Sequence, residues 1–137
     1  MKYLLLPLML LASPAFAETH EVKMLNRGDT GPMVYEPAYL NIAPGDTVRF
    51  LPTQPGHNAA IIEGMIPANA EPFKSKINDT FEVTLSEPGA YGIKCSPHYA
   101  MGMVMLIEVG DTAEITLPEG LPKRTAERFE KIIAERD

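Results

Sequence analysis

Within nine residues the chain carries a thiol, an imidazole and two thioethers, in the run Cys95-Ser96-Pro97-His98-Tyr99-Ala100-Met101-Gly102-Met103. A loop that short can aim a soft sulfur, an imidazole nitrogen and a weaker sulfur at one point. A fourth donor must come from elsewhere, and two other histidines exist, His20 and His57. His57 is the better candidate because it follows the turn signal Gln54-Pro55-Gly56 and opens an apolar segment directed at the interior. His20 stands near a fraying terminus, where a solvated histidine is the ordinary outcome.

Two imidazoles, one thiolate and a distant thioether suit a single copper ion. Soft sulfur holds Cu(I), imidazole serves both oxidation states, and a trigonal set of two His and one Cys with weak axial Met is the blue copper arrangement. Zinc draws on Cys, His or carboxylate and takes thioether poorly. An iron–sulfur cluster needs more than the one cysteine present. For the same reason Cys95 cannot close a disulfide within the chain, although export to an oxidising compartment would ordinarily pair cysteines.

Export is expected from the first residues. Met1-Lys2-Tyr3 leads into an apolar run from Leu4 to Leu11, interrupted by Pro7, and Ala15-Phe16-Ala17 places small residues two apart. That pattern predicts a secretory signal peptide over 1–17, removed after Ala17. The run is far shorter than the ~20 apolar residues a bilayer requires. No later segment is longer, so the mature chain, 18–137, is expected to be soluble and to form one domain. Losing Lys2 leaves 11 basic against 18 acidic residues, formally −7, which makes nucleic acid a poor partner.

The elements that position the candidate donors read as short strands. The 13 prolines and 10 glycines fall mainly between apolar stretches. His20 to Asn26 alternates with Val22 and Met24 on one face. Tyr39 to Ile42 and Val48 to Leu51 flank the turn Ala43-Pro44-Gly45-Asp46, which predicts sheet edges and a hairpin. Ala59 to Glu63 is a short apolar strand. Thr80 to Ser86 alternates with Phe81, Val83 and Leu85 inward, and Ala90 to Cys95 puts Tyr91, Ile93 and Cys95 on one face. Met103 to Val109 is apolar enough to be covered on both faces. This pattern predicts an all-β antiparallel sandwich. A C-terminal α-helical extension over about 122–136 is the exception, with Thr125 as N-cap and Ala126, Phe129, Ile132 and Ile133 at helical spacing.

The residues Gly56-His57-Asn58, then Cys95-Ser96-Pro97-His98 with Met103, and the helical tail together resemble the cupredoxins, and within them the pseudoazurin family. The resemblance covers the whole mature chain. The C-x-x-H-x-x-x-x-M spacing is shared with plastocyanins; the C-terminal helix separates the two groups. It implies a Greek-key sandwich and a type 1 copper site with His57 and His98 binding through nitrogen, Cys95 as thiolate and Met103 as the long axial ligand. Met101 would dress the surface around the site. Asn58 is placed to hold the ligand loops together and to donate a hydrogen bond toward the Cys95 sulfur. Pro97 lacks an N–H and stiffens the approach to His98. The resemblance also implies that His98 is the solvent-facing edge, ringed by Pro97, Ala100, Met101 and Met33. Lys74, Lys94 and Arg27 would steer an acidic partner, with Lys76 and Lys23 behind them.

The activity implied is one-electron transport in the periplasm, by a monomer that docks transiently. Electrons would pass to a nitrite reductase and come from a cytochrome c or a bc₁-type complex, with neither membrane nor nucleic acid as partner. An enzyme reading lacks further histidine-rich centres and a second, resolving cysteine. The alternative is a copper chaperone or storage protein, which tends to exposed methionine and histidine clusters without a thiolate–imidazole set.

Overall fold

The computed structural model describes residues 16–111 and 114–136. The expected leader, apart from its last two residues, lies outside them.

Eight strands run β1 Thr19–Gly28, β2 Gly31–Glu36, β3 Tyr39–Ile42, β4 Asp46–Leu51, β5 Ala60–Ile61, β6 Phe81–Leu85, β7 Gly89–Lys94 and β8 Val104–Val109, followed by α1 Lys123–Glu135. They form two sheets, β2-β1-β4-β6 and β3-β8-β7-β5, packed as the expected sandwich with the helix outside, but each sheet is mixed and not purely antiparallel, since β1 pairs with β4 and β3 with β8 in parallel. Alternation works as the physics of a half-buried strand requires: Val22 and Met24 of β1 and Val48 and Phe50 of β4 are fully buried, with charged or polar neighbours between them. β8 is buried at every position. Its Met105, Ile107 and Val109 join the core between the sheets, and Val104 and Leu106 join a second core with Phe129 and Ile132 of the helix. The two-sided cover expected of this run is therefore the sandwich on one face and α1 on the other. Burying Phe129 completely contributes about 1.5–3 kcal/mol to that docking.

Three local expectations are corrected. The turn at Ala43 to Asp46 does not close a hairpin, because β3 pairs in parallel with β8 while β4 pairs in parallel with β1, in the other sheet. Apolar residues at both flanks suit a crossing between sheets as well as they suit a hairpin, so the turn chemistry alone could not decide. Thr125 is not an N-cap: the helix begins at Lys123 after Pro122, and the Thr125 hydroxyl, fully buried, donates to the Tyr99 carbonyl at 2.5 Å. β2 was not expected at all, since Gly31 and Pro32 resemble loop punctuation; it pairs with β1 from Lys23↔Glu36 to Gly28↔Gly31.

Candidate metal centre

β7 ends at Lys94, and the chain passes through Cys95 into a 3₁₀ turn, Ser96–Met101, before re-entering the sheet as β8. Pro97 is the second residue of that turn, where its missing N–H costs nothing, and His98 kinks it at φ −120°, ψ 18°. Gly102 closes it at φ 86°, with its N–H on the Tyr99 carbonyl at 3.0 Å. A side chain there would meet the Arg124 carbonyl of α1 at 3.1 Å, so both the backbone and the helix require glycine. The loop is cross-tied at its base: Cys95 N–H donates to Met103 O at 3.0 Å and Met103 N–H to His98 O at 3.2 Å.

The other loop brings His57, fully buried, against the same point. Cys95 Sγ lies 3.6 Å from His57 Nδ1 and 3.5 Å from His98 Nδ1, and the two imidazole centroids stand 4.9 Å apart. Donors about 2.1 Å from a shared centre at trigonal angles stand about 3.6 Å from one another, so the spacing fits one ion among them. Met103 is completely buried beside them, while Met101 is 43% exposed. His20 is absent from this cluster.

Electrostatics point the same way. Burial pushes the Cys95 thiol up, against the pull of the backbone N–H groups of Asn58 and His98. Burial also lowers the His57 imidazole, and neighbouring His98 lowers it further. The neutral imidazole is the ligand form, and a thiolate in such a place needs a cation beside it. This donor chemistry fits copper.

Asn58 ties the loops as expected, and more thoroughly. Its Oδ1 accepts the Ser96 N–H at 2.7 Å, and its Nδ2 donates to Ser96 Oγ at 3.1 Å and to the Ser75 carbonyl at 3.2 Å. Its side-chain amide is thus spent on Ser75 and Ser96, and what pulls on the Cys95 thiol from this residue is its backbone N–H. Sequence reasoning missed Asn26, whose Oδ1 accepts from His57 Nε2 at 2.7 Å and so leaves Nδ1 free of its proton to face the sulfur. Nothing in the spacing of residues 31 apart could have paired them.

His20 is not the solvated surface histidine expected. It is half-buried, with Nε2 2.9 Å from Asp46 Oδ2. Together with Glu18 it forms a second group of ligand-type side chains. Asp46, however, already receives the N–H groups of Glu18 at 3.0 Å and Ala43 at 3.1 Å, so the cluster reads as a clasp on the 43–46 turn.

A family model described as copper binding proteins, plastocyanin/azurin family, matches residues 22–110. A pseudoazurin of Paracoccus pantotrophus is 47% identical over 131 residues, covering 93% of this chain and 90% of that protein. The crystal structure of pseudoazurin from Methylobacterium extorquens AM1 superposes with a TM-score of 0.79 at 38% identity, covering 87% of this chain and 99% of that one. A pseudoazurin structure from Sinorhizobium also gives 0.79, at 41% identity, over 88% and 97% of the two chains.

Proposed function

The chain belongs to the plastocyanin/azurin family of copper-binding proteins, within its pseudoazurins, and from that premise we propose which residues hold the metal and where the protein works. It is a copper electron carrier and not an enzyme. His57 and His98 would hold the copper through Nδ1 and Cys95 through its thiolate, with Met103 as the weak fourth donor. Copper bound there supplies a one-electron couple between Cu(II) and Cu(I). The observation that supports this set is the convergence of both Nδ1 atoms on the Cys95 sulfur, at 3.5 and 3.6 Å.

The protein's part is to keep those donors in place whatever the charge among them. Asn26 fixes one ring, Asn58 ties one loop to the other, and Thr125 ties the His98 loop to the helix. His98, only partly exposed, is the edge through which electrons enter and leave. Exposed Pro97, Ala100 and Met101, with half-exposed Met33, form an apolar collar that permits close, brief contact. Around it Arg27, Lys74 and Lys94 steer an acidic partner, backed by Lys76 and Lys23. The Lys94 ammonium sits 4.8 Å over the Tyr99 ring, at the foot of the ligand loop.

The leader 1–17 directs export and is cleaved after Ala17, so the mature domain, 18–137, works in the periplasm as a monomer. Its acceptor is a nitrite reductase and its donor a cytochrome c or bc₁-type complex. Among the described residues no helix is long and apolar enough to cross a membrane.

The test is to add Cu(II) to the purified mature protein and record visible absorption and electron paramagnetic resonance, with Cys95→Ser as control. An intense thiolate-to-copper band with narrow hyperfine splitting, bleached by reductant and absent from the variant, is expected. A faint ordinary Cu(II) spectrum that survives the mutation would remove Cys95 from the site and favour the copper-handling alternative.

A further inference from the structure

The sheet that contains β1 and β2 reaches the His57 loop at two points. One is the Asn26 bond to the His57 ring. The other comes from Tyr35 of β2, a fully buried residue whose hydroxyl donates to the Asn58 carbonyl at 2.6 Å. Tyr35 packs edge-on to Phe50 with centroids 6.0 Å apart, so its ring has no room to swing away. Burial, with Cys95 close by, keeps its phenol well above the usual value, and the hydroxyl stays a donor across the working range.

We propose that Tyr35 is a positioning residue for the copper site: by holding the Asn58 carbonyl it fixes the Asn58 N–H on the Cys95 sulfur and thereby sets the redox balance of the bound metal. The inference rests on the ligand assignment above. The peptide that carries the Asn58 N–H is held at its carbonyl end, where His57 O accepts the Asn78 N–H at 2.9 Å, and the Asn58 side chain reaches Ser75 and Ser96; the Tyr35 bond adds an anchor on the next peptide, at the Asn58 carbonyl. Ala59 is tied on its far side, its N–H donating to Ser75 Oγ at 2.8 Å and its carbonyl accepting the Ser75 N–H at 2.9 Å. With Tyr35 in place Asn58 is held from β2 as well as from the Ser75 and Ser96 segments. An N–H held on a thiolate sulfur withdraws electron density from it and favours the reduced metal.

The experiment compares Tyr35→Phe with the wild type as copper-loaded mature proteins, equilibrated with the one-electron ferricyanide/ferrocyanide couple. The variant keeps the ring and its packing and loses one buried hydroxyl. Tyr91→Phe is the control, because Tyr91 is equally buried and its hydroxyl donates to the Glu87 carbonyl at 2.7 Å, away from the ligand loops. Tyr35→Phe should move the equilibrium roughly two- to tenfold toward oxidised copper, the size of one weakened hydrogen bond, and shift the thiolate band. Tyr91→Phe should lower the melting temperature and leave both readings in place. If Tyr35→Phe lowers the melting temperature alone, Tyr35 is only structural and the proposal is overturned. A wild type with no intense band would instead overturn the ligand assignment itself.

Discussion

At one end of the sandwich His20 Nε2 lies 2.9 Å from Asp46 Oδ2; at the other His57 Nδ1 lies 3.6 Å from Cys95 Sγ. β1 and β4 run parallel, so His20 and Asp46 share the starting end, roughly 20 Å from Asn26 and the ligand loops. Both ends gather ligand-type side chains within 4.8 Å of one another. The difference lies in saturation. Asp46 is satisfied by two backbone N–H groups and by His20, whereas at the ligand end Asn26 occupies the outer nitrogen of His57 and both Nδ1 atoms face the sulfur. A cluster becomes a metal centre when its surroundings hold the donors without consuming them.

The sharpest way to break this comparison is to remove each histidine. His57→Ala should abolish the intense thiolate band and lower copper affinity by orders of magnitude, while His20→Ala should leave the spectrum and the bound copper unchanged. Titration of both variants followed at the thiolate band checks it, and a blue signal lost from His20→Ala would erase the distinction. Next in size is Asn58→Ala. It strands the Ser96 N–H and cuts two further bonds, which should cost about 2–4 kcal/mol in chemical denaturation. Thr125→Val sharpens the role of the helix. Losing the hydroxyl bond to Tyr99 should cost about 1–1.5 kcal/mol and speed copper release to a chelator, because that bond braces the His98 loop.

The smallest effect belongs to the clasp. The Asp46 carboxyl is held below its usual value, first by the Glu18 N–H and then by His20. A depressed folded-state pKa contributes stability that is present above the ordinary carboxylate range and lost as pH falls through the depressed value. The melting temperature of Asp46→Asn should therefore lie below that of the wild type at neutral pH, and the gap should close as pH falls below about 4. A gap that persists unchanged into acid would show that charge plays no part.

Much of this was legible in the sequence, and the misses share a cause. Strand alternation exposed β1, β4, β6 and β7, and the spacing of Cys95, His98 and Met103 exposed the loop, because both signals are local. What failed was long-range choice. Whether the 43–46 turn stays in one sheet depends on which strand each flank finds, and β3 finds β8 across 67 residues. Thr125 has the chemistry of an N-cap but spends its hydroxyl on Tyr99, and Asn26 carries no mark of its partner His57. His20 looked terminal and solvated because nothing near it in sequence announces Asp46.

On the proposed ligand assignment, two cross-tied loops hold His57, Cys95 and His98 in place irrespective of the metal's charge. Copper-edge X-ray absorption of the oxidised and reduced protein at neutral pH tests it directly. One short sulfur and two nitrogen scatterers in both states are predicted. Loss of the sulfur from the oxidised form, or of a nitrogen on reduction, would contradict it.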